Sequence, residues 1–163
     1  MATPPAPAWL PPLFPVSPWQ ATTFDDLYEV FKRDFIRIMP RYCGHNVWFF
    51  PEKDDGKELI FWHLTSRDDK ATGNRYPDLR RAERLPWARP TLDHTADAAV
   101  AHWDYEEGDG TIKTYVWLKA HDYVLVLKRM KDGTRRLITA FHVDYENKRR
   151  DLERKSRNSW APK

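Results

Sequence analysis

Six histidines (His45, His63, His94, His102, His121 and His142) and a run of arginines between residues 67 and 90 supply the groups that can move protons and hold anions. None of the histidines stands at a metal-ligand spacing. HExxH is absent, Cys43 is the only cysteine, and neither GxGxxG, GxxxxGK[ST] nor GxSxG occurs. No metal and no cofactor is therefore expected, and the chemistry left is acid–base and electrostatic. His63 is the leading candidate. If Leu59 to Arg67 is extended, a period of two puts His63, Thr65 and Arg67 on one face and Trp62, Leu64 and Ser66 on the other. A base, a hydroxyl and a cation would then line up, although a strand-end histidine with ordinary hydrogen bonds has the same pattern.

A second place is Leu137 to Val143. By parity Thr139 lies with Leu137 and Phe141, whereas His142 lies with Ile138 and Ala140, so Thr139 and His142 do not serve one site. A threonine within an apolar strand satisfies its hydroxyl either across the strands or by facing a ligand cleft. Anion-binding groups are clustered. Residues 67–90 carry Arg67, Lys70, Arg75, Arg80, Arg81, Arg84 and Arg89 against four carboxylates, and residues 145–163 carry seven basic residues, Lys163 among them, against three acidic. On a helix Arg80 and Arg84 share a face near Trp87, suited to pairing phosphates and stacking a base. Glu83 can pair with Arg80 and Asp78 can cap this helix, which makes a salt-bridged, solvated face the competing reading.

These side chains need elements to hold them. Met1 to Gln20 contains no charge and seven of the thirteen prolines, interleaved with Trp9, Leu10, Phe14, Val16 and Trp19. Helix and central strand are excluded there, which leaves an extended strap on the domain or an arm that docks a partner. From Thr23, apolar residues at three- and four-residue steps (Phe24, Leu27, Tyr28, Phe31, Phe35, Ile38) predict an amphipathic helix ending before Pro40, with Thr23 and Asp26 as a capping box. Val47 to Phe50 and Leu59 to Thr65 are read as strands of a hairpin joined through Glu52 to Gly56, and Pro77 to Leu85 as a short helix closed by Pro86. Thr111 to Lys119, Tyr123 to Met130 and Arg135 to Val143 follow as strands, the last two joined by Lys131-Asp132-Gly133. Val124 to Leu127 is apolar on both parities and so belongs to a central strand. Asp144 is placed to cap a basic helix running to about Arg157.

The result is α+β: an N-terminal helix, an antiparallel meander with flanking helices, and a Pro-rich arm over residues 1–20 attached to a single domain over 21–163. At 163 residues, with 23 aromatic side chains and a mean hydropathy of -0.77, the chain has a core and no run apolar enough for a membrane span. A lone thiol suits a reducing compartment, and the proline-broken opening with its first basic residue at Lys32 does not form a secretory signal, so a cytoplasmic location is expected.

The strings Phe61-Trp-His-Leu-Thr-Ser-Arg67, Asp78-Leu-Arg-Arg-Ala-Glu-Arg-Leu-Pro-Trp87 and Leu137-Ile-Thr-Ala-Phe141, in a basic aromatic α+β chain, resemble the barnase-EndoU-colicin-RelE superfamily of small RNases, in its prophage-associated branch. The resemblance spans about residues 24–157. It implies a metal-independent endoribonuclease, often a toxin aimed at tRNA or ribosome-associated RNA, with a neutralising protein partner. On that expectation His63 is the general acid/base, Arg67 and Arg81 stabilise the phosphate, and Thr139 positions it. Arg80, Arg84, Lys148 and Arg149 hold the RNA backbone, while Trp87, Trp103 or Tyr115 stack bases. Two other classes fit the same residues: a non-catalytic module that binds nucleic acid or protein, and a phage inhibitor that acts by surface blockade.

Overall fold

A computed structural model describes residues 4–161; the first three residues of the Pro-rich arm, residue 162 and Lys163 lie outside the described residues. The described part of the arm is a strap. Trp9 stacks on His94 at 4.4 Å with the rings 2° from parallel, and its indole N–H donates to Asp97 at 2.8 Å. Phe14 N–H donates to the Glu83 carbonyl at 2.8 Å, the Trp87 indole donates to the Pro11 carbonyl at 2.8 Å, and Val16 is buried in the core. Prolines deny this segment a backbone ladder, so it is held by aromatic contacts and isolated hydrogen bonds.

Helix α1 (Thr23–Phe31) buries Leu27 and Phe31 and runs into a π-helical turn, Lys32–Ile36, before Pro40. The expected capping box does not form: Thr23 lies inside the helix and its hydroxyl accepts from Gln20 N–H at 2.9 Å. Strands β1 (Arg41–Tyr42) and β2 (His45–Trp48) turn through Cys43 and Gly44, both at positive φ. The expected hairpin turn at Asp55-Gly56 is present, but its strands are the short β3 (Lys53–Asp54) and β4 (Lys57–Glu58). Leu59 to Thr65 is not a strand. It is helix α2, in which Ile60, Phe61 and Leu64 face the core while the Thr65 and Ser66 hydroxyls donate to the Phe61 and Trp62 carbonyls. A seven-residue apolar run carries no period that separates the two states, and burial of one helical face decided it.

Strands β5 (Ser66–Asp68) and β6 (Arg75–Pro77) pair antiparallel, and Asp78 caps helix α3 (Leu79–Glu83) by accepting from Arg81 N–H at 3.2 Å. Pro86 does not end the helical segment. It sits in the first turn of α4 (Leu85–Asp93), where its missing N–H costs nothing. The last third forms β7 (Val100–Glu106), β8 (Ile112–Leu118), β9 (Tyr123–Arg129), β10 (Arg135–His142) and helix α5 (Glu146–Arg157). Strand β7 was not expected from sequence, because an edge strand that buries only Val100 and Trp103 gives a weak pattern. Asp144 does not cap α5; its carboxylate pairs with His142 Nδ1 at 2.5 Å.

The fold is α+β. Six strands lie in the order β1-β2-β10-β9-β8-β7, antiparallel except for the short parallel pairing of β2 with β10. Strand β9 is interior, as its two-sided apolar run requires: Leu125 and Leu127 enter one core with α1, α2 and α4, while Val124 and Val126 enter a second with Leu152 of α5. Beyond Arg136, β10 has no β2 neighbour, and α2 and α3 pack along it instead.

Candidate functional site

The three sequence strings that carry the resemblance meet at this corner, since α2, α3 and the second half of β10 pack on one another. The register of β10 slips between Leu137, which faces Leu127, and Thr139, which faces Val126. Ile138 is thus the extra residue of a bulge, and bulges re-aim side chains. The slip overturns the parity expectation that Thr139 shares a face with Leu137: Leu137 enters the core beneath α2, whereas Thr139 joins Val126 and Phe141 on the α5 side. Thr139 and His142 stay apart, as expected.

Two cavities flank Ile138. The first, about 210 Å³, is lined by Phe49, Phe50, Glu52, Leu59, Ile60, His63, Arg136, Leu137 and Ile138. It brings an exposed imidazole, a carboxylate and a guanidinium to one concavity, and the Arg136 guanidinium lies 4.6 Å from the Phe50 ring centre. Sequence reading missed Glu52 and Arg136. Glu52 opens a turn, Arg136 stands in a strand of unknown register, and nothing local links either to a helix near residue 63. The second cavity, about 470 Å³, lies between β10 and α5 and is lined by Lys113, Tyr115, Val126, Ile138, Thr139, Phe141, Asn147, Lys148, Asp151, Leu152 and Lys155.

The expected set of His63, Arg67, Arg81 and Thr139 is not assembled as one constellation. A helical α2 removes the shared face of His63, Thr65 and Arg67: Thr65 is fully buried, and Arg67 is exposed on β5 opposite Tyr76, lining neither cavity. Arg81 does reach His63, but through the backbone, donating at 2.9 Å to the His63 carbonyl while its Nε lies 3.3 Å from Asp78. It locks α2 to α3. Thr139 lines the second cavity, across Ile138 from His63.

Several expected RNA contacts are structural instead. Arg84 is buried, paired with Glu83 at 2.6 Å and packed over Trp87 at 5.2 Å. Trp87 is itself core and fastens the strap, so it offers no free face to a base. Trp103 and Tyr115 are buried and stacked on each other at 5.4 Å. Burial, with a hydrogen bond to Glu107, pushes the Tyr115 phenol up to about 12, against the lowering effect of Lys155, whose Nζ donates to it at 2.9 Å. Arg149 bonds the Asp122 carboxylate and the Lys119 carbonyl and packs over Trp117 at 5.5 Å, tying α5 to the sheet. Arg80 and Lys148 remain exposed, Arg80 with Glu83 at 3.7 Å and Lys148 over the Phe141 ring at 5.4 Å. Among the described residues no three His, Cys, Asp or Glu side chains gather as a metal-holding group, and no helix is long and apolar enough to cross a membrane. Comparison of the chain with protein-family models, with curated proteins and with solved structures gave no match.

Proposed function

We propose that the protein is a metal-independent endoribonuclease whose reacting groups are His63, Glu52 and Arg136. The observation that carries this reading is that these three line one cavity at the outer edge of β10. Cleavage by the ribose 2′-hydroxyl forms a bond from O2′ to phosphorus and breaks the bond from phosphorus to O5′. A base must take the 2′ proton, an acid must protonate the leaving O5′, and a cation must face the charge gathering on the phosphoryl oxygens. Imidazole and carboxylate supply the proton pair. Arg136 supplies the fork for the phosphate, in place of Arg67 and Arg81.

The resemblance to the barnase-EndoU-colicin-RelE superfamily supports the same reaction, with tRNA as a candidate target, a toxin-like role and a neutralising protein as the expected partner. The lone thiol Cys43 suits action in the cytoplasm. The test is incubation of wild type, His63→Ala and Glu52→Gln with total tRNA and with a generic single-stranded RNA in EDTA. Discrete cuts with cyclic-phosphate ends, lost in both variants, are expected.

The second reading is a non-catalytic nucleic-acid-binding module. It is favoured by Thr139 and Arg67 lying apart from His63, and it predicts intact RNA with a salt-sensitive mobility shift. Neither cutting nor shift would turn both readings aside in favour of a protein that acts by surface blockade.

A further inference from the structure

Directly opposed residues on neighbouring strands point to the same face of a sheet, and like charges so placed repel. Lys113 of β8 faces Lys128 of β9, and Lys128 faces Arg136 of β10. Three half-buried cations thus stand in one row across three strands, and among the described residues none has a carboxylate within salt-bridge distance. Elsewhere the chain pairs its partly buried cations: Arg129 and Arg135 with Asp104, Lys155 with Glu107, Arg75 with Asp54 and Asp55, and Arg89 with Asp93. The row is the exception, and it lies on the same face as Tyr115, two residues from Lys113.

Both ends of the row open into the cavities already described. Arg136 lines the concavity that holds His63, and Lys113 lines the larger one that holds Thr139, Asn147 and Lys148. The Asp151 carboxylate in that larger cavity is already held by Arg154 at 2.6 Å and Lys155 at 3.7 Å, so it does not neutralise the row. Strands are about 4.8 Å apart, which makes the row roughly 10 Å long, a length that more than one phosphate of a single strand can follow.

We propose that Lys113, Lys128 and Arg136 are a track for the sugar-phosphate backbone of single-stranded RNA lying across the strands, with a base entering the cavity between β10 and α5. The proposal deepens the ribonuclease reading by naming the form of the substrate and its path to His63. A single strand fits because it brings phosphates to the row and an unstacked base to a cavity with an amide, a hydroxyl and the Phe141 ring. The repulsion built into the empty row is relieved when phosphates lie along it.

The test uses a fluorescent 12-nucleotide RNA, 2′-O-methylated throughout so that it binds without being cut, and reads anisotropy over a range of KCl. Full-length wild type is compared with Lys113→Gln/Lys128→Gln and with Lys32→Ala, which removes a charge from the π-helical turn after α1, on the other side of the sheet. For a single strand, log K falls with log salt by about 0.7 per phosphate contact, so the double variant should lose about 1.4 of slope and bind at least tenfold more weakly, with Lys32→Ala unchanged. Removal of like charges should leave the melting temperature of the double variant equal or higher, which separates lost binding from lost fold. An unaltered slope, or polyglutamate of equal charge binding as tightly and with the same dependence on the two lysines, overturns the track. Binding by the row without any cutting of natural RNA leaves the track standing and sinks the ribonuclease. Cutting with an unaltered slope does the reverse.

Discussion

The two faces of the six-stranded sheet are held by different physics. Toward α1, α2 and α4 the strands present Val116, Leu118, Leu125, Leu127, Leu137 and Ala140, all buried against Phe31, Phe61, Leu64, Leu85 and Leu92. Toward α5 the strands present Trp103, Tyr115, Trp117, Val124 and Val126, but the helix answers with one buried residue, Leu152. Its other attachments are charged: Arg149 on Asp122, Lys155 on Glu107, and Lys119 near Glu153 at 3.6 Å. A close-packed apolar face is dry and accepts no ligand without rearrangement. A face closed by ion pairs leaves clefts and unpaired cations: the cavity with Thr139 lies under α5, whereas the one with His63 opens beside α2 where β10 has lost its β2 neighbour.

The contrast is broken most strongly from the sealed side. Leu125→Ala should cost about 3 kcal/mol in urea unfolding, and Val126→Ala, on the opposite face of the same strand, about half of that. Equal losses would mean that the α5 side is packed as tightly as the other. Arg149→Ala should cost about 1.5 kcal/mol, because the buried side of α5 depends on its charge-assisted bonds. It should also raise hydrogen exchange along the helix, and no change there would show α5 held by Leu152 alone.

A phenol tests the sealed face differently. The Tyr123 hydroxyl is buried without a hydrogen-bond partner among the described residues, so Tyr123→Phe should be neutral or stabilise by up to about 1 kcal/mol, whereas a loss would reveal a partner such as bound water. Alkali reaches the α5 side too. The Tyr115 phenol ionises near 12 when folded and near 10 when unfolded, so the unfolded chain releases its proton first. Its contribution to stability is intact below about pH 10 and lost as the pH rises toward about 12; Tyr115→Phe should flatten that decline in urea midpoints measured across this range. The smallest effect is expected at Arg80→Ala, a change within about 0.5 kcal/mol, since its carboxylate neighbour among the described residues, Glu83, is 3.7 Å away and Arg80 is exposed.

Local chemistry made much of the scaffold legible. The α1 stripe, the Lys131-Asp132-Gly133 turn, the two-sided apolar run of β9 and the Asp78 cap each depend on residues within a few positions of one another, and each is present. The sequence singles out His63 through a strand face that the structure replaces with a helix, and its place beside a cavity follows from packing alone. Leu59 to Thr65 became a helix because Ile60, Phe61 and Leu64 find a core supplied by α1 and the sheet, which a short apolar run cannot announce.

Burial of charge and register belong to the tertiary structure alone. In the string Asp78 to Trp87, Arg80, Arg81 and Arg84 are all expected to meet phosphate, the second at the reacting centre; packing left the first exposed, gave the second to the His63 carbonyl and buried the third against Glu83. The Ile138 bulge moved Thr139 to the other face, and only the pairing of β8, β9 and β10 could set Lys113, Lys128 and Arg136 in line. By itself the sequence determined the strap's lack of helix, the strongly periodic elements and the excess of cations, because proline geometry, periodicity and charge are carried by neighbouring residues. Which cations stay unpaired and which side chains share a cavity was decided by contacts between separate segments, whose relative placement is set by the packing of both sheet faces.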